Sequence, residues 1–103
     1  MSRSFHLGPL ARIPAGEGRT FDVGGVRVAV FRTYGDAVFA TQADCPHRAG
    51  PLADGMVGGT ILMCPLHDWT FDLTTGEPLS GVCGIRTYPV RVDGDGIVTL
   101  ALD

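Results

Sequence analysis

The sequence predicts an all-β protein, an antiparallel sandwich or barrel, and three features indicate this fold class. Glycine and proline account for 15 and 7 of the 103 residues and interrupt the whole chain, so no helical period of apolar residues survives between them. The segments that remain are short and rich in β-branched residues. Two pairs of such segments are joined by strong hairpin signals, Gly24-Gly25 and the Asp-Gly-Asp-Gly run at 93–96.

The predicted strands follow one another with short turns between them. An apolar strand containing His6 is predicted near the N-terminus. Tyr34-Gly35-Asp36 is a predicted turn between the first hairpin and the strand that follows it. The segment from 43 to 80 differs, because it has four prolines and only one clear strand candidate. After the first strand, the predicted strands are 19–23, 26–32, 37–41, 60–63, 87–92 and 97–100.

Length and composition predict one small domain, residues 1–103, and exclude several classes of partner. The net charge of −3 provides no basic surface for nucleic acid, and no apolar run is long enough to span a membrane. Three cysteines do not make a closed disulfide framework, so a reducing compartment is favoured and the cytoplasm is expected. No catalytic constellation stands apart from the cysteines and histidines.

Cysteine and histidine alternate in two short arms, Cys45-x-His47 and Cys64-x-x-His67. Each arm offers one thiolate and one imidazole, the supply that a [2Fe–2S] cluster with two sulfur and two nitrogen ligands needs. The same four side chains also suit structural zinc, although a typical zinc finger has its two cysteines in one knuckle and its histidines on a helix. The spacing therefore favours the iron–sulfur cluster and leaves zinc as the alternative.

The residues around these arms resemble the paired binding boxes of the Rieske family. The boxes are Cys-Pro-His-Arg-Ala-Gly-Pro-Leu at 45–52 and Cys-Pro-Leu-His-Asp-Trp at 64–69, and the resemblance continues at 71–78 and 87–92. It implies one [2Fe–2S] cluster held by Cys45, His47, Cys64 and His67. It also implies a cluster-binding subdomain at about 43–70, inserted in a β base formed by about 1–42 and 71–103.

Departures from one branch of the family are informative. Rieske proteins of cytochrome complexes have a further cysteine in each box, joined as a disulfide, and the matching residues here are Gly50 and Leu66. They also have serine and tyrosine hydroxyls after the second box, where this chain has Trp69 and Phe71. Hydrogen bonds to sulfur stabilise the reduced cluster, so their loss predicts a reduction potential in the lower half of the class range.

Two branches of the family without that disulfide fit the chain. One is the small subunit of assimilatory NAD(P)H nitrite reductase, whose partner is the large subunit. The other is the ferredoxin of aromatic-ring dioxygenases, whose partners are a reductase and an oxygenase. The His-Asp-Trp run at 67–69 and the late Cys83 favour the nitrite reductase branch. In either case the resemblance implies an electron-transfer component with no catalytic site of its own. Cys83 is expected to be a buried or idle thiol.

Overall fold

The computed structural model describes residues 3–46, 50–65, 69–80 and 83–102, which form ten strands in three antiparallel sheets. This arrangement confirms the predicted all-β class. The strands are β1 (Arg3–Pro9), β2 (Glu17–Val23), β3 (Val26–Arg32), β4 (Val38–Gln42), β5 (Met56–Gly58), β6 (Ile61–Met63), β7 (Thr70–Asp72), β8 (Thr87–Tyr88), β9 (Val90–Val92) and β10 (Ile97–Leu102).

Two of the sheets form the base of the molecule. One has the order β1-β10-β9 and the other β2-β3-β4-β8. Their apolar faces share one core cluster, because alternate residues of each strand point to the same side. Its buried members are Ile13, Val23, Val28, Val30, Ala40, Val98, Leu100 and Leu102.

Strand β3 is buried on both faces, which explains its unbroken apolar run. Val28 and Val30 belong to the base core, while Ala29 and Phe31 belong to a second core cluster on the opposite side of the sheet. All four side chains are fully buried. The second cluster lies between the base and the third sheet, β5-β6-β7, so β3 joins the base to the region that carries the cysteines.

Both hairpins predicted from turn residues are confirmed. Val23 pairs with Val26 across Gly24 and Gly25, whose φ angles of 56° and 83° are the left-handed values that favour glycine in a two-residue turn. At 93–96, the amide of Asp93 donates to the carbonyl of Ile97 over 3.0 Å and closes the turn between β9 and β10. The strand predicted at 37–41 is present one residue later, as β4.

The single strand predicted at 87–92 is wrong, because Pro89 divides it. Strand β8 pairs with β4 in one base sheet, and β9 pairs with β10 in the other. Proline has no amide hydrogen to donate to a ladder, so a strand can end there. The Pro89 carbonyl still accepts a hydrogen bond of 2.9 Å from the amide of Ala101. Pro89 is therefore the corner at which the chain passes from one sheet to the other.

The segment with one predicted strand contains three. Strand β6 corresponds to the predicted 60–63, and β5 and β7 pair with it on either side, each with three residues. In the described ranges, helical structure consists of two 3₁₀ turns, Leu10–Arg12 and Leu52–Asp54. No helix there is long and apolar enough to cross a membrane.

Candidate metal centre

The first cysteine, Cys45, lies at the start of a loop that is closed by backbone hydrogen bonds. Its amide donates to the carbonyl of Gly50 over 2.8 Å, and the amide of Leu52 donates to the carbonyl of Ala43 over 2.9 Å. Asp44 and Pro51 form an isolated β-bridge between these two bonds. The loop base is therefore a short antiparallel ladder that fixes the backbone of Cys45.

The second cysteine, Cys64, directly follows β6 and begins the loop that leads to β7. Its amide donates to the carbonyl of Trp69 over 2.7 Å, continuing the pairing of Met63 with Thr70. In both loops the cysteine amide thus binds the carbonyl five residues further on. The two Cys/His arms have the same closure, although one has one residue between its cysteine and histidine and the other has two.

The two cysteines come together in the second core cluster. Cys45 is 2% exposed and Cys64 1% exposed, and neither forms a disulfide. They are buried among apolar side chains from the base sheet and from the third sheet. These side chains are Ala29, Phe31, Leu52, Val57, Leu62, Phe71, Leu73 and Ile85, with Phe39, Ala53 and Trp69 packed at the edge.

The two histidines predicted as ligands, His47 and His67, lie outside the described residues. Within the described ranges, no group of three or more histidine, cysteine and acidic side chains is assembled. Cys83 is exposed and does not belong to the core that holds Cys45 and Cys64. The structure therefore places two of the four predicted ligands in one core and separates the third cysteine from them.

The Gln42 side chain connects the base to the first loop, a role that sequence reasoning missed. Its Nε2 donates to the carbonyl of Asp44 over 2.7 Å, and its Oε1 accepts from the amide of Arg86 over 2.8 Å. The Gln42 amide also donates to the carbonyl of Arg86 over 2.9 Å. The residue directly before Cys45 is thereby fixed to the segment that leads into β8. No pattern in the sequence indicates this contact.

Gly55 allows the two loops to approach each other. A Cβ on Gly55 would meet the backbone carbonyl of Met63, the residue directly before Cys64, and would lie 3.1 Å from the carbonyl of Leu52. The φ of Gly55 is −74°, an ordinary value, so glycine is needed here for space and not for conformation. Gly58, three residues away, has open space where its Cβ would be.

Two hydroxyl groups that follow the second loop in the chain contact each other. Thr70 Oγ1 and Ser80 Oγ lie 3.0 Å apart, and Ser80 Oγ also accepts from the amide of Thr70. Phe71, at a position where a hydroxyl occurs in the cytochrome-complex branch, is fully buried in the core. Neither Trp69 nor Phe71 has a hydroxyl to donate to a cluster, and the low reduction potential expected from this stays a prediction.

Asp72 stabilises the turn that follows the third sheet. The hydroxyl of Thr74 donates to Asp72 Oδ1 over 2.6 Å, and the amide of Thr74 donates to the same oxygen over 2.8 Å. These bonds, first the hydroxyl and then the amide, hold the pKa of Asp72 below its ordinary value because they favour the charged carboxylate. The turn brings the following segment back beside β7, where Phe71 and Pro78 form an isolated bridge.

The described part of this centre fits a soft metal centre. Two cysteine sulfurs that lie in one core, each on a backbone held by a hydrogen bond across its loop, are soft ligands that suit iron or zinc. Each cysteine is buried, and the proline that follows it, Pro46 or Pro65, is exposed. The histidines follow each cysteine by two and three residues in the sequence. The donor set is thus compatible with a mixed cysteine–histidine centre.

Comparison with known proteins identifies the family. A model of the Rieske [2Fe–2S] domain matches residues 4–89. The ferredoxin component of the naphthalene 1,2-dioxygenase system of Pseudomonas aeruginosa is 34% identical over 91 residues, which cover 86% of each chain.

Solved structures agree on the fold. The ferredoxin of carbazole 1,9a-dioxygenase from Nocardioides aromaticivorans IC177 has a TM-score of 0.83 and 34% identity, covering 94% of this chain and 95% of that one. A protein from Mycobacterium tuberculosis described as an NADH-dependent nitrite reductase small subunit has a TM-score of 0.91. Its identity is 23%, and the match covers 100% of this chain and 97% of that one. At that identity the likeness concerns the fold.

Proposed function

Because this chain belongs to the Rieske [2Fe–2S] domain family and has a cluster of that type as its cofactor, we propose that it is the ferredoxin of an oxygenase system. In this role it accepts one electron from a reductase and passes it to a terminal oxygenase. The observation that carries the proposal is the 34% identity with a naphthalene dioxygenase ferredoxin along 86% of both chains. The sequence similarity thus favours the dioxygenase ferredoxin, whereas the residues around the boxes favoured the nitrite reductase small subunit.

The proposed ligands are the four residues of the two boxes. Cys45 and Cys64 bind one iron, and His47 and His67 bind the other, as in Rieske centres generally. Support comes from the burial of both thiols in a single core and from the matching closure of the two loops. When bound, the cluster supplies reversible one-electron chemistry.

The proposed cluster-binding subdomain is the segment 43–70, set on a base formed by 1–42 and 71–103. The Gln42 side chain joins the two parts, because it binds the Asp44 carbonyl of the first loop and the Arg86 amide of the base. The apolar side chains of Leu52, Leu62 and Phe71 are fully buried beside the cysteines. They exclude water from the thiolate side, which leaves the histidine side as the approach for a partner.

A second candidate is the small subunit of an NAD(P)H-dependent nitrite reductase, with the large subunit as partner. The observations that favour it are the His-Asp-Trp run at 67–69 and Cys83. This candidate has the same cofactor and ligands, so it differs from the first only in the electron acceptor.

The test is electron transfer with purified holoprotein and defined partners. The reductase and oxygenase components of the naphthalene dioxygenase system are mixed with NADH and naphthalene, and product is measured with and without this chain. A nitrite reductase large subunit with NADH and nitrite is assayed in parallel. Product formation that depends on this chain in the first assay supports the ferredoxin. Stimulation of nitrite reduction alone would replace it with the second candidate.

A further inference from the structure

The outer face of the third sheet has its apolar side chains in one row next to the second cysteine loop. Met56 pairs with Met63, and Met63 pairs with Thr70. The amide of Leu79 donates to the carbonyl of Thr70 over 2.8 Å, so Leu79 continues the row beside β7. Paired residues of antiparallel strands share a face, and the intervening Val57, Leu62 and Phe71 are buried on the other side.

This face holds most of the exposed apolar side chains of the described chain. Six large apolar residues are exposed in the described part of the chain, and four of these six lie on the outer face of the third sheet. They are Met56 at 72%, Leu79 at 54%, Ile61 at 44% and Met63 at 37%, and we call them the apolar strip. Scattered single residues of this kind are ordinary on a protein surface, but a contiguous set indicates an interaction site. Methionine is frequent on such surfaces because its side chain adapts to different partners.

Acidic residues border the apolar strip. Asp72 pairs with Ile61, and the amide of Asp72 donates to the carbonyl of Glu77 over 2.9 Å. Asp72 and Glu77 therefore lie at the end of the strip that is further from the cysteine loop. Asp54 is exposed two residues before Met56. The surface that complements this pattern is apolar at its centre and basic at its rim.

We infer that the apolar strip is a docking surface for the protein that exchanges electrons with the cluster, a partner with an apolar patch rimmed by basic side chains. The inference rests on the proposed function. The strip runs directly into the loop 64–69, because Met63 precedes Cys64 and Thr70 follows Trp69. A partner seated on the strip therefore lies beside the two ends of this loop, Cys64 and Trp69.

The size of the strip favours a transient partner over a second copy of this chain. A stable dimer buries about 800 Å² on each partner, whereas electron-transfer encounters lie at the small end of the range. Four side chains with a carboxylate rim provide a small apolar contact. Two copies would also bring like charges together, since Asp54, Asp72 and Glu77 border the strip on both.

The test replaces three of the four residues of the apolar strip with polar residues of similar size and measures electron transfer. The triple variant M56Q/M63Q/L79N is compared with the wild-type holoprotein, using the oxygenase component of the naphthalene dioxygenase system and the nitrite reductase large subunit as acceptors. The concentration of this chain that gives half-maximal turnover should rise by roughly tenfold. The reduction potential and the EPR spectrum should not change.

The matched control is V26T, because Val26 is 36% exposed, close to the 37% of Met63, but lies in β3 outside the third sheet. It should leave the half-maximal concentration unchanged. If the wild type turns over with either acceptor and the triple variant equals it, the inference fails and the proposed electron-transfer role stands. If the wild type transfers electrons to neither acceptor, the proposed function and the inference fail together. A wild-type dimer in sedimentation analysis that dissociates in the triple variant would also overturn the inference.

Discussion

The side-chain amide of Gln42 donates a hydrogen bond of 2.7 Å to the backbone carbonyl of Asp44, the residue directly before Cys45. The Gln42 Oε1 accepts from the Arg86 amide at the same time. One side chain of the base therefore positions the first cysteine loop through two hydrogen bonds, and its loss should affect both stability and cluster retention.

Gln42→Leu keeps the size of the side chain and removes both hydrogen bonds. We expect a loss of about 1–3 kcal/mol in the free energy of unfolding, because the Asp44 carbonyl and the Arg86 amide lose their partner. Gln42→Glu keeps an acceptor for Arg86 and loses the donor to Asp44, so its effect on cluster retention should be similar. Urea unfolding and the rate at which visible absorption fades measure the two effects. Wild-type behaviour of Gln42→Leu in both would show that the contact does not position the loop.

Gly55→Ala should destabilise the protein by roughly 1–3 kcal/mol, because the added Cβ would press on the backbone carbonyl of Met63. The matched control is Gly58→Ala, where the Cβ meets open space and the change should stay within about 0.5 kcal/mol. Thermal unfolding of the two holoproteins gives the comparison. Equal midpoints for the two variants would contradict the close approach of the loops.

The sequence predicted those parts of the fold that depend on local chemistry. Both hairpins could be predicted from the residues alone, because the backbone conformation of each turn, at Gly24-Gly25 and at 93–96, determines the hairpin. The strands β5 and β7 could not be predicted, because segments of three residues become strands only through pairing with β6. The change of sheet at Pro89 likewise depends on which distant strand accepts each half.

The candidate site was likewise predictable only in part. Residue types and spacing were sufficient to propose Cys45 and Cys64 as ligands, and the structure buries both in one core. The contact of Gln42 with Asp44 and Arg86 was not predictable, since it joins segments 44 residues apart through one side chain. The steric need for Gly55 also depends on a distant carbonyl, that of Met63.

The carboxylate of Asp72 should titrate below its ordinary range, because Thr74 donates two hydrogen bonds to it. With a lowered folded-state pKa, its contribution to stability is present above the unfolded value of about 3.9 and is lost as pH falls through the folded value. Thr74→Val removes the larger of the two causes, so the pKa of Asp72 should rise while the backbone hydrogen bond remains. Carboxyl-carbon NMR of the oxidised protein follows this titration. An Asp72 pKa that is the same in wild type and variant would refute the assignment.

The reduction potential should lie in the lower half of the range of about −150 to +300 mV known for Rieske centres. Trp69 and Phe71 offer no hydroxyl at the two positions where the cytochrome-complex branch has them, so the reduced cluster lacks those two stabilising hydrogen bonds. Protein-film voltammetry of the holoprotein gives the midpoint. A value well above about +150 mV would contradict this reasoning, because it would require hydrogen bonds to sulfur from other groups.

The central claim is that Cys45, His47, Cys64 and His67 hold a [2Fe–2S] cluster between two thiolates and two imidazoles. The most direct test is pulsed EPR of the reduced holoprotein with ¹⁵N-labelled histidine. The account predicts couplings to two histidine nitrogens. Single replacement of His47 or His67 by cysteine should remove one coupling in each case, while His6→Gln should leave both. A reduced cluster with no histidine coupling, or a colourless protein that binds zinc instead of iron, would contradict it.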